Sequence, residues 1–294
     1  DQQLIGSAVS SAAIYTDWWG GTNWYDSLGG AETHVVAGDG LFALDLETKK
    51  VNWKYDGLIL HPTITLMDGK LYFVEDLTTA HQESAVRRIS LGPNQQSRLV
   101  CLDVKTGDKK WEKPLAPFRS HLSCLYLAGG GEVEPQLILV ASEVDQNAFA
   151  IQQIAPDSGA FGWQRSVAWE ATHHGKHISR PAIQGSLLYL RPEVMNLKTG
   201  ATIVRGFPGG HGCTSYALST AGLFSRLGTV TWWDPRTESV SRFPRVRTDC
   251  WISTIPSQGM LLSPDGGGGC SCGSWFETSL GFLPRAVDQA MPSF

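Results

Sequence analysis

The chain has no run of 18 apolar residues, so no helix of it is long and apolar enough to cross a bilayer. It has neither a basic stripe nor an acidic block. Its 24 Lys and Arg stand against 28 Asp and Glu, a formal charge of −4, which points away from nucleic acid and from anionic membrane surfaces. No amphipathic helical period stands out, and strand-like runs between Gly, Asp and Asn turns fill the sequence. Charged residues are scarce, 18% against 42% hydrophobic, so 294 residues have ample material for a core. An initiator Met and a signal sequence are also lacking. Beginning at Asp1, the chain is expected to be a processed or excised segment whose targeting sequence has been removed.

What is present is a repeat. Leu41–Trp53 reads LFALDLETKKVNW and Leu99–Trp111 reads LVCLDVKTGDKKW. Looser copies stand at Ile154–Trp163, Val194–Val204 and Trp232–Arg242. Each joins a β-rich run to a second run through a polar turn centred on Asp/Asn-x-x-Thr-Gly. A large residue often falls four places after the turn glycine. Starts 38 to 58 residues apart are the mark of stacked supersecondary units.

The clearest unit begins at Pro62. Residues 62–67 and 70–75 read as two strands across an Asp68-Gly69 hairpin turn, of the kind that takes positive φ. Residues 78–96 are polar and read as an inserted loop. Residues 98–104 and 109–113 then form a hairpin over Lys105–Asp108. Four antiparallel strands make one propeller blade. The pattern predicts an all-β propeller, one domain over 1–294, with about six four-stranded blades at 1–57, 58–117, 118–168, 169–210, 211–248 and 249–294.

The phrase Leu-Phe-Ala-Leu-Asp-Leu-x-Thr-x-x-Val-x-Trp resembles the repeat of the pyrroloquinoline-quinone (PQQ)-like propeller superfamily, across most of 34–245. That superfamily includes quinoprotein alcohol dehydrogenases and an outer-membrane assembly lipoprotein. Its members usually have eight blades. Six here imply a smaller ring, or part of a seven- or eight-bladed one. The end of the chain, from His211-Gly212-Cys213 through Cys250-Trp251 to residues 266–275, resembles uncharacterised PQQ-like repeat proteins of planctomycete-type bacteria. Quinoprotein dehydrogenases of the resemblance add an adjacent Cys-Cys disulfide over the cofactor, a Trp floor, a calcium site and a catalytic Asp. This sequence has no Cys-Cys pair and no Cys-x-x-Cys-His haem motif. PQQ is therefore not expected, and fold alone does not assign chemistry.

Three groups of residues carry candidate chemistry. His173, His174 and His177 open a blade, with Arg180 and Arg191 close behind and His211 beginning the next. Loops that lead into blades gather at the mouth of a propeller channel, where these groups would suit an anionic sugar. Arg or His⁺ would pair its carboxylate, and a neutral His or Tyr (Tyr126 or Tyr189) would remove the adjacent proton. Some polysaccharide lyases are propellers that work this way; the plainer reading is solvated or structural histidines. A metal on His173, His177 and His211 is a further alternative, although no carboxylate stands beside them. Trp18, Trp19, Trp24 and Tyr25 lie among glycines and polar residues, where flat rings would stack on sugars or bury a blade edge.

Of six cysteines, Cys213, Cys250, Cys270 and Cys272 lie in the last third. They read as two disulfides, with Cys213 to Cys250 one pairing, as a thiolate metal site completed by His211, or as free thiols. Cys101 and Cys124 lie in strands as buried thiols or one bridge. An oxidising, extracytoplasmic compartment, periplasm or cell surface, is expected. The leading functional expectation is an exported recognition module of the bacterial cell envelope, for a protein or carbohydrate partner, with no cofactor. A lyase on uronate-containing glycans, using His173, His174, His177, Arg180 and His211, is the alternative. A metal- or redox-linked protein of the late cysteines is the third.

Overall fold

The computed structural model describes residues 2–10, 35–170, 175–208, 215–226, 229–244, 246, 248, 254–264 and 279–283. The chain forms two compact units, 1–171 with 175–205, and 172–174 with 206–294.

The first unit is built from antiparallel sheets. Strands β1 (Gln3–Ala8), β2 (Val35–Asp45) and β3 (Val51–Leu60) make the first blade. The second contains β4 (Thr65–Met67) and β5 (Lys70–Asp76). A short helix α1 (Thr79–Glu83) and a two-residue strand β6 (Arg88–Ile89) follow, then β7 (Ser97–Asp103) and β8 (Lys109–Pro114). The two blades are hydrogen-bonded through Leu58 opposite Asp76 and Ile59 opposite Glu75. The third blade is β9 (Leu122–Gly130), β10 (Gln136–Glu143), β11 (Ala148–Ile154) and β12 (Phe161–Ala168). The fourth is β13 (Ala182–Gln184), β14 (Leu187–Leu190), β15 (Glu193–Asn196) and β16 (Thr202–Arg205). The second unit has β17 (Ala217–Ser219), β18 (Gly222–Arg226), β19 (Val230–Asp234) and β20 (Ser239–Phe243), then β21 (Ile255–Ser257), β22 (Met260–Ser263) and β23 (Leu280–Phe282). In that unit Phe207 packs edge-on to Tyr216 and against Trp233.

The fold is all-β, built of antiparallel sheets, three of them four-stranded among the described residues. Inner strands such as Lys70–Asp76 and Gln136–Glu143 are buried almost throughout, because both their faces meet another blade. Their side chains divide with period two. From β5 and β7, Leu71, Phe73, Val100 and Leu102 join Leu41, Ala43 and Ile59 of the first blade. Their neighbours Tyr72, Val74, Leu99 and Cys101 join Leu125, Leu127, Leu137 and Leu139 of the third. Ile138, Val140, Phe149 and Ile151 in turn meet Leu188, Leu190 and Met195 of the fourth. Outer strands are polar: Lys109–Pro114 reads KKWEKP and buries little but its tryptophan, as an edge that resists pairing should.

The repeated turns share one construction. Asp45 Oδ1 accepts the backbone N–H of Glu47 and Thr48, Asp103 Oδ1 those of Lys105 and Thr106, and Asn196 Oδ1 those of Lys198 and Thr199. The fifth residue enters the left-handed region, at φ 76° for Gly107, 68° for Gly159 and 70° for Gly200. Over each glycine lies the tryptophan of the preceding blade. A Cβ on Gly107 would stand 2.7 Å from Trp53, one on Gly159 2.8 Å from Trp111, and one on Gly200 2.6 Å from Trp163. The same indoles donate Nε1–H to the next turn: Trp53 to Val104 O (2.9 Å), Trp111 to Pro156 O (2.9 Å) and Trp163 to Leu197 O (3.2 Å). The large residue four places after the turn is thus a latch onto the following blade.

Trp53→Ala should destabilise the fold by about 3 kcal/mol, the range for losing a largely buried aromatic. Gly107→Ala, which keeps the indole but crowds it and strains the backbone, should cost about 1–2 kcal/mol. Urea unfolding of the two variants checks both; equal stability to the parent would remove the latch from the account.

Candidate functional site

Of the His/Arg set, the structure places His177, Arg180 and Arg191. Gly175, at φ 60°, starts a single 3₁₀ turn over Lys176–Ile178 that lies against β9. His177 is 1% exposed, its ring 5.9 Å from that of Trp169. Its carbonyl accepts the Cys124 thiol at 3.1 Å, and the Ile178 carbonyl accepts the Tyr126 hydroxyl at 3.3 Å. Arg180 is exposed and holds its guanidinium 5.6 Å over the Tyr126 ring. Arg191 is buried and ion-paired with Glu170 at 2.8 Å, and Tyr189 is buried beside it on β14. Burial raises the Tyr126 phenol well above its ordinary value, so it keeps its proton and donates. The described set therefore fastens a loop to blades three and four. A polymer would meet Arg180, while the rings of His177 and Tyr126 lie beneath the surface.

Cys101 and Cys124 are free, buried thiols, pushed up to about 11 and about 12 by burial, which suppresses thiolate chemistry. His173, His174, His211, Cys213, Cys250, Cys270, Cys272, Trp18, Trp19, Trp24 and Tyr25 lie outside the described residues. Among the described residues no three His, Cys, Asp or Glu side chains come together as a metal site.

The structure adds a site that the sequence reading passed over. Strand directions bring the end of β5, the start of β7, the end of β8 and the start of β9 to one end of the blades, the loop end. There residues 77–96 form an ordered strap. Its ends close through Leu77 N–H to Gln96 O (2.7 Å) and Gln96 N–H to Thr78 Oγ1 (3.0 Å). Arg87 forks onto Asp39 (2.8 and 2.6 Å), and Val35 and Val36 pair with Ile89 and Arg88 on the first blade. Leu91 O accepts Leu122 N–H (3.0 Å), fixing the strap to the third blade. Ile89 and Leu91 are buried in the core between these blades. The alternation Arg-Ile-Ser-Leu inside a polar stretch was the available signal.

Beneath the strap Asp76, wholly buried, accepts Thr78 N–H (2.8 Å) and His81 Nδ1–H (2.6 Å). A cavity of about 280 Å³ lies between the strap and His121, bounded by His81, Ser90 and Gln95 among others. A second, of about 330 Å³, lies at the turn end between blades two and three. It is crossed by the Lys70–Asp157 ion pair and edged by Glu134 and Gln136.

No family model matches the chain, and no curated protein does. Among solved structures it is similar to BamB from Moraxella catarrhalis, at 14% identity and a TM-score of 0.48, covering 90% of this chain and 74% of that one. It is also similar to the Dos1 propeller (11%, TM-score 0.47, 83% of this chain and 64% of that one). A third likeness is to a europium-containing methanol dehydrogenase (10%, TM-score 0.40, 82% and 62%). The chain spans less than two thirds of the last two chains. These are likenesses of fold, and no site residue is carried over from them.

At the loop end His61, half-buried, shares a 2.8 Å hydrogen bond with Ser7 of β1. Burial lowers its pKa from 6.5. The folded state thus holds the neutral ring and the unfolded state binds the extra proton. The contribution to stability is complete above about pH 6.5 and is lost as pH falls through the lowered folded value. The melting temperature should fall between pH 7 and pH 5, and less so in His61→Gln; parallel pH profiles for parent and variant would contradict this.

Proposed function

We propose that this chain is an exported recognition module of the bacterial cell envelope that holds a protein or glycan partner on the loop end of its blades, without a bound quinone. The observation that carries the reading is the unequal treatment of the two ends. At the turn end the backbone is held to short Asx turns under tryptophan latches. At the loop end twenty residues, 77–96, are folded into a strap tied to three successive blades. Ordered loops on a rigid scaffold are where binding surfaces are built. Against a quinone stand the lack of any adjacent cysteine pair and the two described cysteines, single buried thiols on separate strands, β7 and β9.

The lyase reading keeps Arg180 at the surface and otherwise requires His173, His174 and His211. The metal or redox reading requires the late cysteines. Neither has the support of a built surface among the described residues.

The test is photo-crosslinking in the source bacterium, with the photoreactive residue at Glu83 or Val86 on the strap and at Lys105 or Ser158 on the turn end. Adducts from strap positions in an envelope fraction, and none from turn positions, are expected. Adducts from the turn end alone, or protein confined to the cytoplasmic fraction, would overturn the reading.

A further inference from the structure

We propose that the open edge of β1 takes up one extended, uncharged strand of a partner polypeptide, a binding surface separate from the strap and independent of it. The first observation is strand pairing. β5, β10, β14, β18 and β22 each lie between hydrogen-bonded neighbours, one on either side. β1 pairs with β2 as these strands pair with the one that follows them, and among the described residues it has no second neighbour. The Gln2 carbonyl accepts the Leu46 N–H (3.0 Å), which fixes the phase of that ladder. Even-numbered residues of β1 therefore bond to β2, and Gln3, Ile5 and Ser7 turn their N–H and C=O groups to the open edge.

The second observation is the apolar surface beside that edge. Leu66 of β4 stands opposite Leu71, whose side chain lies with Leu41 and Ile59 in the core facing the first blade. Leu66 shares that face, and it is 61% exposed. The other face of β4 is covered by β9. There Thr65 Oγ1 donates to Leu127 O (2.8 Å), and Met67 packs against the core between blades two and three. Ile5 and Ile64 continue the first face as an apolar floor, and Ser7 ties β1 to the 3₁₀ turn His61–Thr63 just before Ile64. No residue of β1 is buried, whereas Leu71–Asp76 are buried throughout. A strand paired with β1 would lie over this floor and cover Leu66 as β9 covers Met67.

The third observation is charge. Sheet edges are commonly guarded against pairing by charged side chains. The outer strands Lys109–Pro114, Phe161–Ala168, Thr202–Arg205 and Ser239–Phe243 each carry at least one. β1 reads QLIGSA and β4 reads TLM, with none, and Leu4 is 49% exposed. An uncharged open edge is a template for main-chain pairing, the mode by which extended peptides add to sheets. A charged residue in the added strand would lose water over Ile5 and Leu66 without gaining a counter-ion, which restricts the partner to uncharged sequence. A second copy fits poorly, since its own β1 is flanked by its own β4 and 3₁₀ turn. A loop or tail of another protein brings a single strand.

The experiment is fluorescence anisotropy of the full chain with a capped, labelled heptapeptide, Thr-Ile-Thr-Leu-Thr-Ile-Thr, which extends the pattern of residues 63–66. The same peptide with proline at its centre, which breaks strand pairing, is the comparison. The first should saturate below about 1 mM, and the proline form should bind at least about tenfold more weakly. Leu66→Lys, at an exposed position, should weaken the peptide at least about fivefold. So should Gln3→Pro, which removes one outward N–H where an edge strand tolerates proline. Both variants should keep the melting temperature within about 2 °C of the parent. No saturation up to about 1 mM would overturn the assignment. So would equal binding of the proline form, or binding unchanged in both variants. A dimer that the peptide dissolves would give the edge to a second copy. Natural protein, single by mass, that refuses the peptide would give it to the same polypeptide; either result removes the partner. Strap crosslinks are untouched by all of these outcomes, so the loop-end reading stands or falls separately.

Discussion

An indole laid flat on a glycine is the contact on which the margins of this molecule depend. The cores between blades, Phe73 against Ile59 or Tyr72 against Leu127, hold the inner strands and would do so without it. The outermost strands are different. Lys109–Pro114 has one large apolar side chain, and apart from it only ladder hydrogen bonds and the half-exposed Arg98–Glu112 and Lys110–Asp103 ion pairs hold the strand to its one neighbour. Trp111 gives that strand a second attachment by covering Gly159 and donating to Pro156 O. A flat ring needs a flat partner, and only a residue without Cβ provides one at this separation. Further blade-to-blade bonds surround the latch, as where Arg165 reaches Glu193 and Thr202.

This constraint also divides the two ends of the blades chemically. Turns under an indole have little freedom to lengthen, because the carbonyl and the glycine must stay in register with a ring on another blade. The opposite end carries no such requirement. There the second blade has accepted an insertion long enough to reach the first blade through Arg87 and Ile89 and the third through Leu91. Asp76, which the strap buries, is tolerable there because backbone and histidine answer it. The rigidity of one end is what leaves the other free to carry an insertion.

Much of the fold was legible in the residues. The Asp68-Gly69 hairpin turn, the strands around it and the Asp/Asn-x-x-Thr-Gly turns are local features, set by side chains reaching backbone two or three residues on. What was not legible is non-local. The strap owes its order to a two-residue strand pairing with Val35 and Val36 and to one fork on Asp39, contacts that a polar sequence does not announce. His177 sits in a run of histidines and lysine that looks solvated. Its burial comes from Trp169 and β9, forty or more residues of chain folded back onto it in the case of β9. The pocket at the strap was hidden for the same reason, since His121 meets Ser90 and Gln95 only once the strap is folded against the third blade.

The turns themselves show what keeps glycine in them. Lys49 and Glu238 occupy the same bend at φ 59° and 54°, so the backbone there admits a side chain. Where the residue is glycine, at 107, 159 and 200, a tryptophan stands in the repeat before it; before Glu238 the corresponding residue is Val204. Ring and glycine are thus a two-site character. Where the sequence places no ring in the repeat before a turn, glycine is not required there, as the pair Val204 and Glu238 illustrates.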